Sequence, residues 1–211
     1  MTLVGKIRIL YFLEDRAQEG FITALVTRVA SEESIAPGSL GRDVRSARRG
    51  SKVVTEFRNF IKDTKRVGAS DIDFLVVSID GNCYGHEERV KQLKKYIKSN
   101  HPFNEKVVYA VPDPHIERWY IMDQRAFKEG IGINRAPDLP AYKCGKDYYK
   151  QILHNALKES KVNSLLGGAE YAENIVDKIT DLRSLYQQNA GFRVFVEDLR
   201  RMLKKTSKTE Q

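Results

Sequence analysis

Only two cysteines, Cys83 and Cys144, occur in this 211-residue chain, and they lie far apart with no CxxC partner. That spacing indicates neither a disulfide framework nor a zinc knuckle, and the expectation is two free thiols in a reducing compartment. No apolar run approaches the roughly 20 residues that cross a bilayer. Lys6 and Arg8 are interleaved with the first apolar residues, and no small-residue cleavage site follows. The N-terminal stretch is therefore expected to be a strand and not a signal peptide, with a cytoplasmic location. The four histidines, His86, His101, His115 and His154, show no HxH or HExxH spacing, which disfavours a zinc hydrolase. GxxxxGK[ST], GxGxxG and GxSxG are all missing, so the chain does not read as an NTPase, a dinucleotide enzyme or a serine hydrolase.

What remains is 41% apolar and 30% charged, the balance of a soluble globular protein. Lys and Arg number 36 against 28 Asp and Glu, a net charge of +8. Such an excess favours polyanion partners, nucleic acid first among them, and says nothing about fold.

Apolar patterning places a strand at about Lys6 to Leu13, a helix from Gln18 to Val29 and a helix from Lys52 to Lys65. A strand through Asp73 to Asp80, a helix at Glu87 to Ile97, a strand at Lys106 to Val111 and a helix from Pro114 follow. Asp113 is placed to cap that last helix. Ser34 to Ser51 has no apolar periodicity and reads as an exposed loop rich in arginine. Strands joined by long crossovers imply an α/β fold with a mostly parallel sheet flanked by helices. Residues 1–130 are assigned to that core. Residues 131–211 form a helical C-terminal extension, with helices at Tyr148 to Leu157, Ala169 to Ile179 and Phe192 to Leu203 and a frayed tail from Lys204.

Two strands end on acids. The first runs into Glu14 and Asp15, and the second into Asp80-Gly81-Asn82. Carboxylates and amides at the C-terminal tips of a parallel sheet are well placed to hold a hard cation such as Mg²⁺ or Mn²⁺, which phosphodiester cleavage uses. Gly81 would permit the turn that brings Asp80 and Asn82 together. Asp and Asn are also ordinary turn and cap residues, so both readings stand at this point. Asp113 and Glu117, four apart, share one helical face and could reach the same crevice. Arg42, Arg45, Arg48 and Arg49 would suit phosphate contact, since guanidinium groups pair with phosphate oxygens. Lys143, Lys146 and Lys150 form a second basic group among Tyr142, Tyr148 and Tyr149.

Glu14 after strand one, the tip Ser78-Ile79-Asp80-Gly81-Asn82 and the helix Ile116-Glu117-Arg118-Trp119-Tyr120-Ile121-Met122-Asp123 together resemble a Toprim-like family. The family is the bacterial proteins of unknown function grouped as DUF4276, relatives of the Toprim domain of OLD-type nucleases. The stretches from Gly168 to Ile179 and from Gly191 to Leu199 resemble its C-terminal helices. The resemblance implies a Toprim-like, Rossmann-like fold and a Mg²⁺- or Mn²⁺-dependent nuclease or nuclease subunit acting on DNA or RNA. Glu14, Asp80 and Glu117 would be catalytic, and Glu14, Asp80, Asn82 and Asp113 would surround the metal. An ATPase partner in phage defence is implied in the same way, while homo-oligomerisation stays open. Asn82 stands where the family has a second Asp. The alternative expectation is therefore a degenerate site on a subunit that binds nucleic acid or a partner protein.

Overall fold

Seven residues, Ile7–Leu13, are buried at every position but one, and the molecule is built outward from this strand, β1. In the computed structural model the described residues are 6–67, 69, 71–145 and 147–209. β1 pairs in parallel on one side with β2 (Leu40–Ser46) and on the other with β3 (Phe74–Ser78), which pairs in parallel with β4 (Val107–Ala110). The order is β2-β1-β3-β4, a four-stranded parallel sheet flanked by helices and Rossmann-like in architecture. A strand with a neighbour on each side and helices on both faces must be apolar throughout, which explains the run at β1 and the five buried residues of β3.

Strand alternation sorts the side chains into two cores. Ile7, Ile9, Tyr11 and Leu13 face α1 (Arg16–Glu32) and the helices that follow β4. Leu10 and Phe12 face α2 (Val53–Val67) and α3 (His86–Lys94). The first of these clusters continues without a break to Leu203. It takes in α4 (Ile116–Ile121), α5 (Gln124–Ile131), α6 (Tyr148–Glu159), α7 (Ala172–Lys178) and α8 (Ala190–Thr209). Trp119 is its largest side chain and packs against Phe192 and Phe195 of α8, with ring centroids 5.2 and 6.0 Å away.

Several expectations are corrected. The segment 34–51 is not simply a loop, because it contains β2. An edge strand has one hydrogen-bonded neighbour, and here only Leu40 and Val44 pack against the core, so no apolar alternation announces it. The helix after β4 breaks at Asp123, whose carboxylate accepts from Ala126 N (2.9 Å) and starts α5 anew. Asp113 is not the cap of α4. It precedes a cis peptide bond to Pro114, and the N-cap is His115. The tail from Lys204 is helical as far as Thr209, and Lys204 pairs with Glu33 of the α1 terminus (2.9 Å), as does Arg200 (2.8 Å). The two cysteines are not free: Cys83 and Cys144 form a disulfide, their Cα atoms 5.6 Å apart. Their sequence separation of 61 had concealed a pairing that exists only because the segment after α5 returns across the β3–α3 loop. Among the described residues no helix is long and apolar enough to cross a membrane.

Candidate active site at the sheet edge

Parallel strands present their C-terminal ends together, and in this sheet those ends carry Glu14 and Asp80. The junction is knitted by backbone: Glu14 N donates to Ser78 O (3.0 Å). The side chains then interlock. Glu14 Oε2 accepts from Asp80 N at 2.8 Å. Asp80 Oδ1 accepts from Gln18 Nε2 (2.8 Å) and from Ile116 N (3.1 Å), so both of its hydrogen bonds fall on one oxygen. Ile116 opens α4, and this bond ties the helix carrying Glu117 to the tip of β3. Glu117 is 6% exposed, and its Oε2 is buried with no hydrogen-bond partner.

Burial is the largest influence on all three acids. It raises Glu14 above the usual carboxylate range, against the opposing bond from Asp80 N. It raises Asp80 well above that range, and the neighbouring charges of Glu14 and Glu117 push the same way. Glu117 is also raised, with Lys150 pulling in the opposite direction. Lys150 of α6 is the cation facing the group. Burial alone would lower its ammonium, but Glu117, Asp80 and Asp15 outweigh that and hold it above its ordinary value. Clustered carboxylates pushed toward protonation mark a functional-site candidate on physical grounds.

Three contributors escaped sequence reasoning. Gln18 is fully buried and bridges the two strands: its Oε1 accepts from Glu14 N (3.2 Å) while its Nε2 donates to Asp80. The signal was present, because Asp15 caps α1 through Gln18 N (3.0 Å), and Asp-x-x-Gln is a capping-box spacing. Arg89 is 6% exposed and donates from Nε to Asp80 O (3.1 Å) and from Nη2 to Gly81 O (3.3 Å), clamping the loop from behind. Lys150 had been grouped with the tyrosines, and nothing local in its sequence points to the acids.

Asn82 and Asp113, expected at the metal, are directed elsewhere. Asn82 is exposed at φ +49° with its Nδ2 turned back to Asp80 O (3.4 Å). Asp113 Oδ1 accepts from Cys83 N (3.0 Å) and Gly85 N (3.3 Å), and its Oδ2 accepts from Tyr142 Oη (2.6 Å). Asp113 thus holds the 82–85 loop and the 136–145 segment on the rim, beside the disulfide. Its carboxylate lies where a Cβ on residue 81 would be, so Gly81 serves close packing; the left-handed residues of this turn are Asn82 and Cys83. Neither histidine near the site is a solvated loop residue of ordinary basicity. Burial lowers both His86 and His115, and each has a buried Nδ1 without a partner.

The arginines do not form one patch. Arg42 is opposite Ile9 and Arg45 opposite Phe12, positions of opposite parity, so they leave β2 on opposite faces. Arg45 pairs with Asp43 (3.3 Å). Arg48 and Arg49 lie beyond the strand, where their N–H groups donate to Glu56 (2.7 and 3.1 Å). Next to them Gly50 approaches the site: a Cβ there would lie 3.3 Å from Glu14 Oε1. Of the tyrosine–lysine group, Lys143 lies over the Tyr148 ring (4.7 Å) and Tyr149 belongs to the core, while Lys146 falls outside the described residues.

Among the described residues no three or more His, Cys, Asp or Glu side chains stand arranged to hold a metal ion. The chemistry of the donors nevertheless suits a hard cation. An orphaned buried carboxylate oxygen on Glu117 and an Asp80 bonded through one oxygen only are oxygen ligands with acceptor capacity to spare. Glu14, Asp80 and Glu117 would hold such an ion, with Lys150 displaced from them. No family model matches the chain, and comparison with curated proteins and with solved structures gave no match either.

Proposed function

We propose that this protein is a divalent-cation-dependent phosphodiesterase acting on nucleic acid. The observation that carries the reading is the acidic triad of buried Asp80 and Glu117 with partly buried Glu14, drawn from three segments to the C-terminal edge of one parallel sheet. This edge is where open α/β sheets place their ligands. Bound Mg²⁺ or Mn²⁺ would supply Lewis-acid activation of the phosphodiester and of water. The chain's own residues would do the rest. Gln18 and the Asp80 N–H fix the orientations of Asp80 and Glu14. Glu117 would turn its unpaired Oε2 to that ion. Arg48 and Arg49, beside Gly50, flank the approach. The Toprim-like, DUF4276-like resemblance agrees with this reading and adds an ATPase partner to the proposal.

Cleavage of labelled DNA and RNA in Mn²⁺ by wild type, Glu14→Gln and Asp80→Asn tests it. The expected result is loss of cleavage in both variants, and equal cleavage by all three ends the proposal. A second reading has its own observation. Lys150 already faces the acids, and Asn82 and Asp113 are turned away from them. On that reading the protein is a degenerate subunit that binds nucleic acid or a partner without metal, and its binding survives EDTA and the Glu14→Gln change.

A further inference from the structure

A concentration of positive charge without ion-pair partners among the described residues lies away from the arginine-rich segment. The C-terminal half of α2 and the turn after α3 enclose a cleft of about 340 Å³. Arg58, Lys62, Lys65, Lys95 and Lys98 line it, and no carboxylate does. None of the five forms an ion pair among the described residues; their one polar partner is Asn100, whose Oδ1 accepts from Lys65 Nζ (3.0 Å). Elsewhere on the surface, Arg8, Arg28, Arg125 and Arg200 each have a carboxylate within reach. Five cations around one concavity repel one another, and an anion there relieves that repulsion.

The cleft is preformed. Its floor is Ile61, Tyr96 and the buried His101. Phe103 N donates to His101 Nδ1 (3.1 Å), so the ring proton sits on Nε2 and is given to Ile61 O (2.9 Å). This bond fastens the 98–103 turn to α2 and fixes the spacing of the two cationic walls.

The shape selects the anion. From Arg58 to Lys65 is seven residues of helix, about 10 Å at 1.5 Å per residue. That is too long for one phosphate and suits a series of them. An apolar floor below a concave cationic rim is also unlike the flat face that an anionic membrane would need. We propose that this cleft binds the phosphodiester backbone of nucleic acid. It lies down α2 from the active-site edge: Gly50 touches the Glu14 region, and Lys62 to Lys65 come nine to twelve residues after Val53. Lys62 to Lys65 thus lie about 14–18 Å along α2 from Val53, or some four to five base pairs at 3.4 Å per nucleotide. The proposal deepens the nuclease reading by locating the strand that leads to the site, and its test needs no catalysis.

The test is fluorescence anisotropy with a labelled 20-base-pair DNA and the matching single strand, in EDTA, from 50 to 200 mM KCl. Each phosphate contact contributes a slope of about −0.9 in log K against log salt, a factor of about 8 at 0.1 M. A Lys62→Gln/Lys98→Gln variant should lose about 60-fold in affinity and flatten the slope by about 1.8. Lys128→Gln/Lys158→Gln carries the same change in net charge on exposed positions of α5 and α6 and should bind as wild type does. Glu14→Gln should also bind as wild type, so a failed cleavage assay with intact cleft-dependent binding would remove the nuclease reading alone. Three results overturn the cleft: no nucleic-acid binding by wild type, an equal loss in the control variant, or capture of phosphatidylserine vesicles but not DNA.

Discussion

Glu117→Gln separates a catalytic crevice from an ordinary buried acid, because the substitution keeps shape and removes charge. Glu117 is 6% exposed, and its Oε2 has no hydrogen-bond partner. Leaving a buried charged oxygen unpaired costs about 1–3 kcal/mol. The amide should recover about that much at pH 7.5, since it removes the charge that Asp80, Asp15 and Asp147 now repel. For a chain of this size each kcal/mol moves Tm by about 2–4 °C, so the variant should melt about 2–12 °C higher than wild type. Metal should invert the order. At 100 times its Kd a cation stabilises the native state by about 2.7 kcal/mol, or about 5–11 °C, and Glu117→Gln should lose most of that increment. Circular-dichroism melts with and without Mn²⁺, at pH 7.5 and again at pH 4.5, read both effects. At pH 4.5 Glu117, held toward its protonated form, carries less charge than at pH 7.5, so the stabilisation by Gln should shrink. A lower Tm for the variant at pH 7.5, or equal Mn²⁺ stabilisation of both proteins, would refute the argument.

The same burial sets the pH dependence of stability. Glu14, Asp80 and Glu117 have folded pKa values above their unfolded ones. The native state therefore binds more protons, and their contribution falls as pH rises from about 4 upward. Urea midpoints at pH 5, 6.5 and 8 should decline for wild type and level off for the triple variant Glu14→Gln/Asp80→Asn/Glu117→Gln; parallel declines would count against this. The disulfide closes a loop of 61 residues, worth up to about 4 kcal/mol in the chain-entropy treatment. Cys83→Ser/Cys144→Ser should lower the urea midpoint accordingly and speed hydrogen exchange in residues 136–145, whereas an unchanged midpoint would contradict it. Gly130→Ala should destabilise despite the better helix propensity of alanine, about 1 kcal/mol. Its Cβ would lie 2.7 Å from Ile175 N and Cα, backbone that cannot swing aside, and α5 would have to leave α7. Denaturant melts check this, and a more stable variant would show that the two helices separate freely.

Glu14 and Asp80 could be named from sequence because each follows a strand whose apolar run is unmistakable, and Glu117 because it lies four residues from Asp113 on the helix after a third strand. Strand direction then fixes which end they occupy. Asn82 and Asp113 could not be sorted in the same way. Their residue types suit a metal, but their orientation depends on a left-handed turn at 82–83 and on Tyr142 arriving from another segment. The arginines of 42–49 looked like one patch only while they were read as a loop. Once β2 pairs with β1, alternation sends Arg42 and Arg45 to opposite faces. The basic cleft had no local signature at all, since its five cations come from two groups thirty or more residues apart.

Sequence alone determined the parallel α/β architecture and the acids at the strand tips. Both follow from nearest-neighbour facts, period-two burial and long crossovers, that are written in consecutive residues. Tertiary structure alone decided that β2 exists, that Cys83 meets Cys144, that Gln18 and Lys150 join the acids, and that Glu117 loses its solvent. Each of these depends on which distant segments come into contact. Burial and pairing energies arise between such segments, and they have no counterpart along the chain.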